Sequence, residues 1–358
     1  MAHTMTPLTK RLFQSSYTRR QLLQATGTTL AALTANTSLF AAEPTTSKPT
    51  LNVYTDYSWL RGFGVIPSWA ARIEDAWWFY DGSRMREEVA LARQVHANCI
   101  RVWIEFTAWF RDPDKITAHF MDAVAAVAEN GMKVMPCLFN RWHDTQYDYG
   151  GTYLENIRPG WQGPHDYVKS LVTPLINDDR ILMWDLCNEP TNTPQEFAWL
   201  SEIAATVRAC GARQPITIGT PDGLPIIEAF APIVDVLCAH PYVHNEPALI
   251  QTIAGYQQLS QKLGKPLMAN ETIPGALDDA AHAEVARFYT DRLSAAGFGW
   301  MGWALREGQA ISTRRDRFDA NGIHRQGFHP FFTKEGKLRP GTEFLMEQPK
   351  LRASWEKA

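Results

Sequence analysis

Two glutamates stand where side chains can do chemistry. Glu189 follows the run Trp184-Asp185-Leu186-Cys187-Asn188 and precedes Pro190, and Glu271 follows Pro266-Leu267-Met268-Ala269-Asn270. Each is an acid placed directly after an asparagine at the end of a short apolar run. A carboxylate there must give up water unless partners replace it, and that cost marks it as a functional candidate. Taken singly, either one reads more readily as a loop-end ion pair or a charge at a helix N-terminus. As a pair facing one another across a bound acetal, one can protonate the leaving oxygen while the other attacks, provided the carboxyl groups stand about 5 Å apart.

Such acids need a frame that brings distant parts of the chain to one face. After a Pro/Thr/Ser linker at residues 43–50, short apolar runs alternate with longer amphipathic ones, the pattern of strand-helix units on a parallel sheet. Eight runs are expected as strands, near residues 61–66, 98–104, 133–139, 181–188, 216–219, 234–240, 266–270 and 299–304. Between them, segments such as 86–96, 118–130, 194–210 and 280–296 space apolar residues as helices do. Several of the expected helices stop at glycine just before the next strand, at Gly131, Gly211, Gly264 and Gly297. Eight such units predict a single-domain α/β fold, a (β/α)8 TIM barrel over residues 51–347, with 348–358 as a C-terminal tail. An open doubly wound sheet is the alternative; against it, Gly62 and Gly64 have no third glycine at the spacing a dinucleotide turn needs. In a barrel the working side chains sit at the carboxyl ends of strands, where Glu189 and Glu271 fall after the fourth and seventh runs. The longest insertion, residues 140–163, follows the third strand and carries Trp142, Tyr147, Tyr149, Tyr153 and Trp161 on what would be that face.

The stretch Trp184 to Pro190, with Asn188-Glu189-Pro190 at its centre, resembles the strand-four motif of glycoside hydrolase clan A, and the overall order most resembles family 5, the cellulase-like enzymes. The likeness extends over almost the whole mature chain through Arg101 on strand two, His240-Pro241-Tyr242 after strand six, Glu271 after strand seven and Trp303 on strand eight. It implies a retaining mechanism without a cofactor, with Glu189 as general acid/base, Glu271 as nucleophile and Asn188 binding the sugar 2-hydroxyl. It gives Arg101 and Tyr242 the task of orienting Glu271, and His240 a place beside the acid/base. A fixed cation and a phenol would keep the nucleophile ionised, while the surroundings and the neighbouring negative charge would keep the acid protonated. Arg101 reads alternatively as a structural ion pair with Glu105 or Asp185, His240 as a core histidine and Tyr242 as a packed aromatic.

Of the thirteen tryptophans most read as core packing, but a cleft that stacks pyranose rings on indole would recruit one or two of them. Alternation in Gly299-Trp300-Met301-Gly302-Trp303 puts Trp303 and Met301 on one face and Trp300 and Gly302 on the other, so Trp303 is the expected sugar platform, with Trp142 its counterpart on the insertion. His143 beside it is expected to contact sugar hydroxyls, and Arg306-Glu307-Gly308 after strand eight to line the cleft. The strand-three end, Asn140-Arg141-Trp142-His143-Asp144, departs from the histidine pattern of family 5. The expected substrate is a β-linked polysaccharide such as a glucan, mannan or xylan. Exo-action on oligosaccharides, and a noncatalytic carbohydrate-binding barrel, are the alternatives. A barrel isomerase or aldolase lacks its strand-end Schiff-base lysine and phosphate loop here.

Composition fits this reading. Of the 358 residues 45% are hydrophobic and 20% charged, and 35 Lys plus Arg against 38 Asp plus Glu give a formal charge of −3, which offers no basic surface for nucleic acid. Residues 1–42 hold Lys10, Arg11, Arg19 and Arg20 with no acid, ahead of a mildly apolar stretch too weak for a stable span. Arg19-Arg20 reads as a twin-arginine export signal and predicts a periplasmic or secreted protein. The five widely spaced cysteines predict neither a disulfide framework nor a zinc site, and no metal site is read from the histidine spacing.

Overall fold

A computed structural model describes residues 51–142, 157–243, 245–310, 312–314 and 327–347. The expected signal, linker and C-terminal tail, and His143, lie outside the described residues. Eight parallel strands close in sequence order into a barrel: β1 (Arg61–Val65), β2 (Cys99–Trp103), β3 (Lys133–Cys137), β4 (Trp184–Asn188), β5 (Ile216–Pro221), β6 (Leu237–His240), β7 (Leu267–Thr272) and β8 (Trp300–Gly302). Closure comes from β8 against β1, with Met301 beside Gly62 and Gly302 beside Phe63. The protein is thus a single-domain TIM barrel.

Around it run α1 (Ile73–Trp78), α2 (Gly82–Gln94), α3 (Phe106–Arg111), α4 (Pro113–Ala128), α5 (Gln162–Val172), α6 (Pro194–Ala209), α7 (Leu224–Phe230), α8 (Glu246–Leu263), α9 (Asp279–Ala295) and the short α10 (Phe344–Glu347). Side-chain oxygens of Asp81, Asp112, Thr193, Asn245 and Asp278 accept from first-turn amides and start the longer helices. Gly131, Gly211, Gly264 and Gly297 end four of them with φ between 62° and 87°, where a Cβ would be strained. No helix among the described residues is long and apolar enough to cross a membrane.

Alternation along each strand builds the interior in layers. Cys99, Met135, Met183, Cys238, Met268 and Met301 pack inside the barrel, with Tyr57, Trp59 and Leu60 in the same cluster. Soft sulfur side chains fill this irregular space well. Gly62 and Gly64 of β1 face the same interior: a Cβ on Gly62 would come within 2.7 Å of the Met301 methyl, and one on Gly64 within 2.6 Å of the Trp303 ring. Trp300 joins the outer core between sheet and helices, while Met301 joins the inner one. The cysteines are unpaired, and all but the half-buried Cys210 are buried.

Two strands break register. Between Asp185 and Asn188, β4 uses three steps where β5 uses two, and between Ala269 and Thr272, β7 uses three where β8 uses two. Each extra residue is a bulge, which re-aims the side chains beyond it. Leu186 and Cys187 therefore both pack outward, and Asn188 returns to the barrel mouth. The two bulged strands are the ones that carry Glu189 and Glu271.

Candidate active site

Above the sulfur layer the barrel interior turns polar around Arg101, which points inward from the middle of β2 and is completely buried. A buried guanidinium requires acceptors, and β4 and β7 supply them. Arg101 Nε donates to Asp185 Oδ2 at 2.9 Å, Nη1 to Glu271 Oε2 at 2.6 Å and Nη2 to Asn188 Oδ1 at 2.8 Å. Burial alone would lower the Arg101 pKa, but the charges of Asp185 and Glu271 outweigh it and hold the cation. Asp185 is held in turn by the Gly219 amide and by Asn270 Nδ2, each at 3.0 Å. Arg101 is thus both the ion-pair partner of Asp185 and a donor to Glu271.

Glu271 takes its second bond from Tyr242, whose hydroxyl donates to Oε1 at 2.9 Å. Burial, then the nearby charges of Glu271 and Glu189, push the Tyr242 phenol well above its usual range, so it stays a donor. Glu189 is held differently. His240 Nδ1 donates to its Oε1 at 2.8 Å, Trp142 Nε1 to its Oε2 at 2.5 Å, and Arg141 approaches Oε2 at 4.0 Å. An oxygen of Glu189, an oxygen of Glu271 and a ring nitrogen of His240 lie within 4.8 Å of one another.

Asn188 links the halves of the site. Its Oδ1 accepts from Arg101 and its Nδ2 donates to Asn140 Oδ1 at 3.0 Å, which uses one of its two amide N–H groups. Asn140 Nδ2 then donates to the Trp142 carbonyl at 3.0 Å. Trp303 sits edge-on to Trp103 with ring centroids 4.3 Å apart, and the Arg101 guanidinium lies over the Trp103 ring at 4.9 Å. The structure therefore brings Arg101, Trp142, Asn188, Glu189, His240, Tyr242, Glu271 and Trp303 to one mouth.

Two expectations need correction. The acid was expected to be held protonated; burial does push the Glu189 carboxyl up, but the bond and charge of His240, the Trp142 N–H and the Arg141 charge outweigh it and take it below the usual range. Arg306 and Glu307 do not line the cleft as free groups. Arg306 donates to Glu88 on α2 and to the Lys334 carbonyl, and Glu307 accepts from Arg339, so both tie the loop after β8 to neighbouring segments. Among the described residues Glu189, His240 and Glu271 also form a buried trio with ligand-type atoms, assembled from residues 51 and 31 positions apart. Both Glu271 oxygens and Glu189 Oε1 already accept the Arg101, Tyr242 and His240 bonds described above.

Asn140 and Arg141 belong to a strand-three end that reads as polar and barrel-facing, but their bonds in the site, and those of Gly219 and Asn270, are not legible in residue order. Asp185 was legible only as a partner for Arg101. The signal that reaches it is charge matching: a basic residue at an inward strand position needs an acid at an inward position nearby.

A family model described as cellulase (glycosyl hydrolase family 5) matches residues 69–308. Among solved structures the chain is similar to the exo-β-1,4-mannosidase Op5Man5 from Opitutaceae bacterium strain TAV5, at 16% identity and TM-score 0.61, over 80% of this chain and 58% of that one. It thus spans somewhat over half the length of that protein. It is also similar to a GH5_18 protein from Streptomyces cattleya solved with GlcNAc, at 15% identity and TM-score 0.61 over 82% of each chain. A third is an endo-1,4-β-D-mannanase from Thermotoga petrophila RKU-1, at 17% identity and TM-score 0.55, over 80% of this chain and 98% of that one. No curated protein sequence matches the chain.

Proposed function

The chain belongs to glycosyl hydrolase family 5, a retaining family of glycoside hydrolases, and on that premise we propose that it cleaves a β-linked polysaccharide by double displacement, with Glu271 as nucleophile and Glu189 as general acid/base. The observation that carries this reading is the approach of the two buried carboxylates, oxygen to oxygen within 4.8 Å, each gripped by a different set of donors. That close approach suits direct attack by one carboxylate, as in a retaining mechanism.

In the first step a Glu271 oxygen attacks the anomeric carbon and the bond to the leaving oxygen breaks, while Glu189 gives that oxygen a proton. A covalent glycosyl ester forms. Arg101 and Tyr242 favour the ionised nucleophile and fix its orientation. In the second step Glu189, now a carboxylate, takes a proton from water as the water attacks the same carbon, and Glu271 leaves unchanged. The free N–H of Asn188 faces the sugar 2-hydroxyl, and Trp303 offers an apolar surface below the ring. Because the substrate-free site favours ionised Glu189, binding itself must supply the proton's stability, by excluding water and by setting the substrate's own oxygen beside the carboxyl. Export through the twin-arginine segment would place this activity outside the cytoplasm.

The test is threefold. Glu271→Gln should lower turnover of an activated aryl β-glycoside by about a thousandfold or more while the fold persists. Glu189→Ala should slow poorly activated substrates by roughly 100- to 10,000-fold, with added azide restoring cleavage of an aryl glycoside. Proton NMR of the first-formed product should show retained anomeric configuration; an inverted product would overturn the mechanism. A panel of β-glycans, read by product size, assigns sugar and mode of action, and β-1,4-mannans belong in it because fold neighbours are named for them.

A further inference from the structure

We propose that Trp142 is a positioning residue for the acid/base, its indole N–H fixing the Glu189 carboxyl, through Oε2, for proton transfer to the leaving oxygen. This inference rests on the reading of Glu189 given above, and it departs from the expectation that Trp142 serves as a sugar-stacking platform.

The geometry is specific. Trp142 Nε1 donates to Glu189 Oε2 at 2.5 Å while His240 Nδ1 donates to Oε1 at 2.8 Å, so each carboxylate oxygen has its own donor. Trp142 is held at its ring and at its backbone. The Arg141 guanidinium lies over its ring at 4.2 Å, and the Asn140 carboxamide holds its carbonyl at 3.0 Å. Asn140 is itself held by Asn188, which is held by Arg101, which is held against Glu271. A continuous chain of hydrogen bonds therefore leads from the nucleophile to the acid/base by way of Trp142. Trp142 remains 38% exposed, so its ring borders the open cleft rather than the core.

The charged and titratable groups facing Glu189 are His240 from β6, Tyr242 just beyond β6, Arg141 from the segment leaving β3 and Glu271 from β7. His240 and Arg141 favour the carboxylate, and the Glu271 charge opposes it. Trp142 adds a neutral donor that bonds an ionised acceptor well and a protonated one poorly, and charge-assisted bonds of this kind are the strong ones. Removing it makes Glu189 easier to protonate. In a retaining enzyme the alkaline limb of kcat/KM reports loss of the proton from the acid, so that limb moves to higher pH.

The experiment compares the full chain with Trp142→Phe, which keeps an aromatic face and loses the N–H. On a β-glycoside with a poor leaving group, Trp142→Phe should shift the alkaline limb of kcat/KM upward by about one pH unit and lower its plateau about tenfold. On a dinitrophenyl glycoside, whose departure needs no proton, the plateau should change less than twofold. An unmoved limb with a raised KM on both substrates would overturn the inference and leave Trp142 as a platform. Azide rescue of Glu189→Ala, run in parallel, separates the two failures: rescue with an unmoved limb in Trp142→Phe sinks this inference alone, and absence of rescue sinks the acid/base assignment and this inference with it. A Trp142→Leu variant, which also loses the N–H, should show the same limb shift.

Discussion

Glu189 adopts a left-handed backbone conformation, φ 49°, which costs a residue with a side chain about 1–2 kcal/mol. Its amide is held there by the Gly219 carbonyl at 2.7 Å, and the Gly219 amide in turn holds Asp185. Gly219 thus fixes the acid/base and the Arg101 anchor with its backbone, and its missing side chain is as important. A Cβ there would lie 2.7 Å from His240 Nε2, 2.8 Å from Arg101 Nη2 and 3.0 Å from Asn270 Nδ2. All three residues are bonded into the site and cannot retreat without losing a partner. Gly219→Ala should therefore cost about 1–3 kcal/mol through overpacking, and about 100-fold in kcat because the displaced groups hold the two glutamates. Thermal midpoint and kcat measured together check this, and wild-type turnover in the variant would show that the barrel centre yields.

At the scale of elements, strand-helix alternation and the glycine stops made the eight strands and the barrel legible, because period-two and period-3.6 burial are written directly into residue order. The acids at the ends of β4 and β7 were legible for the same reason. The two bulges were not. Strict alternation turns Asn188 away from the face that Asp185 occupies, and only the extra residue between them brings both to Arg101. Nor could spacing show Trp142 reaching Glu189 from 47 residues away, or Glu307 turning from the cleft toward Arg339. These depend on how loops fall against strands, which local pattern does not encode. The Arg339 contact is a stability device: fully buried, it donates to the Pro330 carbonyl at 2.8 Å, to Asp279 at the start of α9 at 2.9 Å and to Glu307 at 2.6 Å. It joins the C-terminal segment to the helix after β7 and the loop after β8. Arg339→Met should leave two carboxylates without this cation and lower unfolding free energy by about 2–3 kcal/mol, less than for a fully buried pair because both acids keep some water. Urea denaturation reads the change, and an unshifted midpoint would assign the clasp no net weight.

Across the whole molecule, the same C-terminal segment makes stability depend on pH through His282. This histidine of α9 is completely buried, its Nε2 donates to the His329 carbonyl at 2.8 Å, and its ring stacks on Phe328 and meets Phe331 edge-on. Nδ1 has no partner. Burial first, and the Arg339 charge with it, lower its pKa to about 4, although the His329 carbonyl works in the opposite direction. In the unfolded chain the group titrates near 6.5, so below that pH the unfolded state binds a proton that the folded state refuses. The stability His282 contributes is complete above pH 6.5, declines as pH falls, and is gone below about 4, a loss of about 3 kcal/mol by pH 4. His282→Phe keeps the ring between its aromatic neighbours and removes the titration. At pH 7 the variant should be about 1 kcal/mol less stable for want of the His329 bond. As pH falls toward 4 the wild type should lose that lead and become the less stable of the two. Parallel declines of both proteins in urea unfolding at pH 7, 5.5 and 4.5 would mean that His282 titrates alike in the folded and unfolded chains, and that the acid sensitivity of the barrel arises from its paired carboxylates instead.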